Sequence, residues 1–209
     1  MKKLFLTSSV NFVAADIAKK LDLSQNNKLV FINTAGEYKE KDLSWQDEDR
    51  NSLVRAGFDV FDYTITEKKP DQLMENLKEV DYIYVSGGNT FYLLEKAQES
   101  GFIKVVKDLI LKMGKIYIST SAGSIIAGPD IYPSFRLDDA SKAPKIKGYK
   151  GFDLVDFTVL PHWGSDKFRD LYLNKRLEHA YTANNQLILL TDNQYIEIVD
   201  DWYRICEVK

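Results

Sequence analysis

The sequence contains a single cysteine, Cys206, among 209 residues. One thiol cannot form an intrachain disulfide, and it cannot supply a cysteine cluster for a metal ion. We therefore expect neither a disulfide framework nor a cysteine-bound metal, and we expect no cofactor. Such sparse use of cysteine fits a cytoplasmic location.

Long apolar runs and blocks of basic residues are also missing. No run approaches the roughly 18 apolar residues that would cross a membrane. Polar residues interrupt the first apolar stretch, so residues 1–15 do not predict a signal peptide. The 28 Lys and Arg residues are outnumbered by 31 Asp and Glu, for a net charge of −3. We therefore expect no nucleic-acid or membrane partner and favour chemistry on a small molecule.

Short apolar segments alternate with longer amphipathic ones. The predicted strands lie at 4–6, 29–32, 60–61, 82–85, 116–118 and 157–160, and the predicted helices at 16–21, 44–56, 71–78 and 90–112. This alternation indicates one α/β domain over residues 1–209, with a mostly parallel sheet between two helical layers. After a helix near 166–182, short strands at 187–191, 195–199 and 202–208 predict a small antiparallel extension.

The segment 114–128 predicts a buried strand, a sharp turn and a short helix. On such a turn the hydroxyl of Ser121 would stand clear of the sheet, and the N–H of Ala122 would point at an oxyanion forming beside it. Ser121 is therefore the candidate nucleophile. The match to the G-x-S-x-G pattern is imperfect, because Ser119 occupies the first glycine position. The alternative is a serine that only caps a helix.

The sequence has two histidines from which a general base can be chosen. His179 falls in the middle of a predicted helix. His162 follows a predicted strand, where ligand sites of parallel sheets are found, and is the better candidate. A carboxylate would be needed to orient the imidazole. Asp138 and Asp139 lie between the serine and the histidine in the chain, and the sequence leaves open which of them serves.

The loop 86–90, Ser-Gly-Gly-Asn-Thr, follows one predicted strand and precedes a helix. Its glycines allow backbone N–H groups to approach a ligand closely, so Gly88 is the candidate for a second oxyanion donor. Gly87, Asn89 and Thr90 are candidate substrate-binding residues. The same loop also fits a phosphate cradle or a plain turn. A flavodoxin-like module that binds an anion or nucleotide without catalysis is therefore an alternative function.

Three motifs occur together: Gly87-Gly88-Asn89-Thr90 within the stretch 84–94, Ser121-Ala122-Gly123-Ser124, and Pro161-His162. In this combination the chain resembles the dipeptidase E and cyanophycinase-like serine peptidases. The resemblance implies a flavodoxin-like fold of the class I glutamine-amidotransferase type. It also implies hydrolysis of dipeptides or short peptides through Ser121, His162 and an acid, with Gly88 at the oxyanion.

The resemblance leaves several points open. The family's acid lies in a Thr-Thr-Asn-Asp setting, whereas this chain has Leu137-Asp138-Asp139. Some family members prefer an N-terminal Asp, for which the available cations are Arg136, Lys167 and Arg169. Another serine hydrolase, an esterase or amidase, is a further alternative. A glutamine amidotransferase needs a cysteine nucleophile, which Cys206 is badly placed to supply. Trp45 and Trp202 are candidate contacts of a homodimer.

Overall fold

The computed structural model describes residues 1–38, 42–135, 138–181 and 186–209, so Arg136, Leu137 and Thr182 lie outside the described residues. The strands are β1 (Lys3–Thr7), β2 (Lys28–Ile32), β3 (Asp59–Tyr63), β4 (Tyr82–Val85), β5 (Ile116–Thr120), β6 (Thr158–Leu160), β7 (Leu187–Leu189), β8 (Gln194–Val199) and β9 (Trp202–Glu207). The α-helices are α1 (Val10–Ala18), α2 (Ser44–Arg55), α3 (Pro70–Leu77), α4 (Thr90–Ser100), α5 (Phe102–Leu111), α6 (Ala122–Ile126), α7 (Arg169–Leu171) and α8 (Leu177–Tyr181). A π-helical turn, Tyr172–Arg176, joins α7 to α8, and single 3₁₀ turns occur at Thr34–Gly36, Tyr132–Ser134 and Ala140–Lys142.

The main sheet has seven strands in the order β3-β2-β4-β5-β1-β8-β9. The five strands from β3 to β1 are parallel, whereas β8 and β9 run antiparallel to their neighbours. This confirms the mostly parallel sheet, and β8 and β9 form the antiparallel extension. The third strand predicted for that extension, 187–191, is β7, which pairs in parallel with β6 instead. Strand β1 lies inside the sheet, with Leu4 opposite Tyr117 on one side and Ile198 on the other.

Helices cover both faces of the sheet, which explains why its central strands are apolar at successive positions. In β2, Leu29 and Phe31 pack in a cluster with residues of α1 and α2. Val30 and Ile32 pack on the opposite face with residues of α3, α4, α5 and α6. Burying each such side chain contributes about 1.5–3 kcal/mol. The fold is therefore the predicted three-layer α/β/α arrangement.

Two predicted helices have different bounds in the structure. The predicted helix 90–112 is divided into α4 and α5 at Gly101, which has φ of +74° and would bring a Cβ within 2.7 Å of Pro70 Cγ. The first helix begins at Val10 instead of residue 16, because Ser9, two residues after the end of β1, is extended and occupies the N-cap position. In both places a local backbone change overrides the apolar spacing.

Strand β6 does not join the main sheet. It pairs in parallel with β7, with Leu160 opposite Leu189, in a separate two-stranded sheet. The apolar segment before His162 is therefore a strand, as predicted, but it belongs to a different sheet. This pairing places the residues after β6 beside the residues after β7. In the part of the chain that the structure describes, no helix is long and apolar enough to span a bilayer.

Candidate active site

Ser121 occupies the turn between β5 and α6 with φ of 48° and ψ of −111°. A non-glycine residue in such a conformation costs on the order of 1–3 kcal/mol and is retained only where its surroundings enforce it. Two contacts do so. The Ser121 N–H donates to Thr7 O at 3.1 Å, across to β1. Gly123 allows α6 to lie close to β4, because a Cβ there would be 2.2 Å from Val85 O.

His162 lies two residues beyond β6 and faces this serine. Its Nε2 is 3.0 Å from Ser121 Oγ. The ring of Phe168 stacks on the imidazole, with centroids 4.8 Å apart and planes inclined by 14°. The backbone of His162 is left-handed, with φ of 66°. The predicted serine and histidine are therefore brought together in geometry suited to proton transfer.

The acid beside His162 is Asp192, and not Asp138 or Asp139. Asp192 Oδ1 is 2.7 Å from His162 Nδ1. Asp138 Oδ2 instead accepts hydrogen bonds from the N–H of Thr90 at 2.9 Å and from its hydroxyl at 2.5 Å. Asp139 is exposed and accepts from Ser141 N at 3.0 Å. The carboxylate in contact with His162 is thus Asp192, whereas Asp138 and Asp139 have other hydrogen-bond partners.

Asp192 was missed because its segment reads as a turn. It follows β7 by three residues, as His162 follows β6 by two, and β6 and β7 are parallel. The sequence signal for Asp192 is its position directly after the predicted strand 187–191, at a strand end where functional residues of parallel sheets lie. The two segments are also tied by a hydrogen bond of 2.9 Å from Trp163 N to Leu190 O.

The pKa of Asp192 reflects opposing effects. Burial raises the pKa of the Asp192 carboxyl. The hydrogen bond from His162, the charge of His162 and the hydrogen bond from the Ser8 hydroxyl lower it, and the resulting pKa is below its ordinary value. The carboxylate is therefore ionised at neutral pH. An ionised carboxylate at Nδ1 favours the tautomer with its proton there, which leaves the lone pair of Nε2 directed at Ser121.

The glycine loop closes another side of the site. Gly88 has φ of +134°, and a Cβ there would lie 2.0 Å from Ala35 O, so only glycine fits. Among the described residues no hydrogen bond uses the Gly88 N–H. Gly87 adjoins Ser121, since a Cβ at position 87 would lie 3.2 Å from Ser121 Cβ. Ala122 is the first residue of α6, so its N–H is among the helix donors that have no partner within the helix.

Asn89 and Thr90, for which substrate binding stays a prediction, are buried and make hydrogen bonds within the protein. The Asn89 side chain accepts from Tyr92 N at 2.9 Å, as the N-cap of α4, and donates to Asp139 O at 2.9 Å. Thr90 is bonded to Asp138, as described above. Asp138 and Asp139 thus hold the start of α4 and the glycine loop in place.

A cavity of about 360 Å³ opens in front of Ser121. Its wall includes His162 and both loop glycines, and the side chains Tyr38, Trp45, Glu48, Asp49, Asp138, Lys167 and Phe168. Burial raises the pKa of Asp49 to about 7, against the lowering effect of hydrogen bonds from Tyr84 and the Asn11 backbone. No cluster of residues suited to a metal ion occurs among the described positions.

A serine, an imidazole and a carboxylate, each in contact with the next at the edge of an α/β sheet, are the groups of a serine hydrolase. Comparison with known proteins identifies the family. The chain belongs to peptidase family S51, which matches residues 4–206. It is therefore a serine-type peptidase, as the sequence motifs predict.

Individual relatives agree with this assignment. A Listeria innocua protein named as an uncharacterized peptidase is 31% identical over 202 residues, covering 94% of this chain and 96% of its own. A Listeria monocytogenes crystal structure assigned to peptidase E superposes with a TM-score of 0.88 at 29% identity, over 100% of both chains. A Drosophila melanogaster protein assigned as an alpha-aspartyl dipeptidase is 31% identical over 114 residues, covering 54% of this chain and 44% of its own.

Proposed function

We propose that this peptidase hydrolyses dipeptides or other short peptides through a triad of Ser121, His162 and Asp192. The observation that carries the proposal is the continuous contact from Ser121 Oγ to His162 Nε2, 3.0 Å, and from His162 Nδ1 to Asp192 Oδ1, 2.7 Å. Each group is thus within reach of its partner for a nucleophile, a general base and an orienting acid.

In the first half of the reaction, Ser121 Oγ attacks the peptide carbonyl carbon while its proton passes to His162 Nε2. The carbonyl oxygen becomes an oxyanion, to which the N–H groups of Gly88 and Ala122 donate. The tetrahedral intermediate then collapses: the C–N bond breaks, and His162 gives the proton to the departing amine. An ester between Ser121 and the acyl part of the substrate remains.

In the second half, water attacks the ester carbonyl and gives its proton to His162. Collapse of this second intermediate breaks the bond to Ser121 Oγ, which recovers its proton from His162. A carboxylic acid is released and the enzyme is restored. Asp192 remains ionised throughout and stabilises the imidazolium that forms twice in the cycle.

The size and charge of the cavity support a short peptide as substrate. A volume of about 360 Å³ lies near the lower end of small-ligand sites and suits a few residues. Lys167 is a cation in its wall, which also includes Glu48, Asp49 and Asp138. We propose an N-terminal Asp substrate as the first to test, since Lys167 can pair with its side chain. The name of the Drosophila relative points to the same class of substrate.

We further propose that the enzyme acts in the cytoplasm on free peptides, without a nucleic-acid or membrane partner. A homodimer remains a prediction. Of the two tryptophans considered for it, Trp202 is 54% exposed on β9, whereas Trp45 lies in the cavity wall.

The test is hydrolysis of a dipeptide panel, including Asp-X members and one ester, by the wild type and by Ser121→Ala. We expect the variant to lose about 10⁶-fold in kcat, as is typical for removal of a serine nucleophile. A fluorophosphonate should label the wild type at Ser121. The matched control is Ser100→Ala, because Ser100 is a buried serine in α4 whose hydroxyl is bonded to Lys96 O at 2.7 Å.

Equal turnover by the wild type and Ser121→Ala would refute the nucleophile. Turnover of the ester with no peptide cleaved would favour the esterase alternative. Cleavage of X-Asp or neutral dipeptides without Asp-X would reject the proposed role of Lys167 while leaving the triad intact.

A further inference from the structure

Ser8 lies at the carboxyl end of β1 and is completely buried, although it borders the catalytic cavity. Its backbone is fixed to the neighbouring strand, because Thr120 Oγ1 donates to Ser8 O at 3.1 Å. The same Thr120 hydroxyl accepts from Val10 N at 3.0 Å, at the start of α1. Ser8 is therefore held rigidly beside the Ser121 turn.

The Ser8 hydroxyl contacts two members of the proposed triad, His162 and Asp192. It accepts a hydrogen bond of 2.7 Å from the backbone N–H of His162. It donates one of 2.7 Å to Asp192 Oδ1, the same oxygen that faces His162 Nδ1. One hydroxyl thus bridges the backbone of the base and the carboxylate of the acid.

The direction of these bonds can be derived from the groups themselves. A backbone N–H only donates, and an ionised carboxylate only accepts, so the single Ser8 proton must point to Asp192. Ser8 Oγ is also 3.5 Å from His162 Nδ1. Because its proton is committed to Asp192, Ser8 does not donate to Nδ1. The proton of the imidazole is therefore left on Nδ1, facing Asp192.

The bond to the His162 N–H also acts on the backbone. With φ of 66°, His162 is in a conformation that costs on its own and needs support from its surroundings. Ser8 supplies that support from the strand that adjoins the nucleophile. It thereby fixes the distance between the His162 main chain and the Ser121 turn.

We propose that Ser8 is a positioning residue, whose hydroxyl fixes the rotamer and the tautomer in which His162 accepts the proton of Ser121. This inference rests on the proposed function of Ser121, His162 and Asp192. It adds a fourth side chain that touches no substrate and acts through the other two. Hydrogen bonds to charged groups are the stronger ones, so its loss should be measurable.

The kinetic test compares Ser8→Ala with the wild type on the best substrate of the panel. We expect kcat to fall about 10- to 100-fold while KM changes less than about threefold, because the hydroxyl acts on the base and not on binding. Ser100→Ala, which also removes a bonded hydroxyl from a buried serine, should keep full activity. Ser8→Cys keeps the size of the side chain with a weaker donor and should fall between Ser8→Ala and the wild type.

A second readout needs no substrate. In ¹⁵N-labelled protein at a pH where the imidazoles are neutral, the nitrogen shifts report which ring nitrogen carries the proton. The chain has two histidines, and the signal lost in His162→Gln identifies His162. We expect a single tautomer protonated at Nδ1 in the wild type and a mixture in Ser8→Ala.

The outcomes separate the two proposals. If the wild type cleaves no peptide, the proposed function fails, but the tautomer shifts still test Ser8. A folded Ser8→Ala with kcat within about twofold of the wild type and an unchanged single tautomer would overturn the positioning role. Should Ser8→Ala not fold, Ser8→Cys decides by the same two measurements.

Discussion

The assignment of the acid leads to a direct prediction: Asp192→Asn should nearly abolish turnover, and Asp138→Asn should not. An Asn at position 192 can turn its NH₂ group toward His162 Nδ1, now 2.7 Å from Oδ1. The imidazole proton then moves to Nε2, where it faces Ser121 and blocks general-base catalysis. An aspartate-to-asparagine change in such a triad lowers kcat about 10⁴-fold, which is about 5 kcal/mol of transition-state stabilisation.

Asp138 has a different role, and its replacement has a different cost. Its carboxylate lies at the N-terminus of α4 and accepts two hydrogen bonds from Thr90. Asn keeps an acceptor there but loses the charge, which is worth roughly 0.3–1 kcal/mol at a helix end and up to about 2 when partly buried. We expect a lower thermal midpoint, and a fall in kcat of less than about tenfold through small shifts of the glycine loop.

The assay is steady-state hydrolysis of the best dipeptide by both variants, with Ser121→Ala as the background level and circular dichroism to confirm folding. If Asp138→Asn fell to the background while Asp192→Asn retained most of its activity, the acid deduced from the geometry would be wrong. Equal losses in both folded variants would mean that the loop held by Asp138 is as important as the orienting acid.

Three further changes test other parts of the site and its scaffold. Gly88→Ala should lower kcat about 10²- to 10³-fold, as loss of an oxyanion donor does, because a Cβ at this position would lie 2.0 Å from Ala35 O. Steady-state kinetics measure this loss, and the control is Gly148→Ala, where a Cβ meets no atom within 4 Å. Gly123→Ala should cost roughly 2 kcal/mol and lower the thermal midpoint by about 4–8 °C, since its Cβ would lie 2.2 Å from the β4 backbone. Asp49→Asn should be stabilising relative to the wild type, increasingly so from about pH 4 to about pH 7 and evenly above that, as urea unfolding at several pH values would show.

The sign of the Asp49 prediction follows from its pKa. Burial raises that pKa to about 7 in the folded protein, well above the value of an exposed carboxyl. Between the two values the folded state binds more protons than the unfolded one, so stability falls as pH rises through this window. Asn removes the titration but keeps an acceptor for the Tyr84 hydroxyl, now 3.0 Å from Asp49 Oδ2. A stability difference independent of pH would refute the reasoning.

The sequence predicts the parts of the fold whose signals are local. Apolar runs in β1, β2, β4 and β5 mark strands buried on both faces, and the strand-turn-helix pattern around Ser121 marks the proposed nucleophile. The pairing of strands depends on contacts distant in sequence. Nothing in the segment 157–160 by itself distinguishes a strand of the main sheet from one that pairs with β7 in a separate sheet.

Dependence on contacts distant in sequence also explains why the sequence points to Asp138 and not to Asp192 as the acid. Asp138 lies between Ser121 and His162 in the chain, and proximity in sequence made it attractive. Its actual partner, Thr90, is 48 positions away, while Asp192 is 30 positions beyond His162. Only the parallel pairing of β6 and β7 brings Asp192 to the imidazole. Ser8 is 154 positions from His162 in the chain, so local sequence patterns do not predict their contact either.

The position of β1 inside the sheet, between β5 and β8, has a consequence for the life of the chain. The proposed nucleophile, base and acid and the residue Ser8 lie in four separate regions of the chain, and β1, the first strand, pairs with β8, one of the last. In a chain that is still being synthesised or is partly unfolded, Ser121 lacks the contact with His162 that would activate it. We therefore expect peptidase activity to depend on the pairing of β1 with β8.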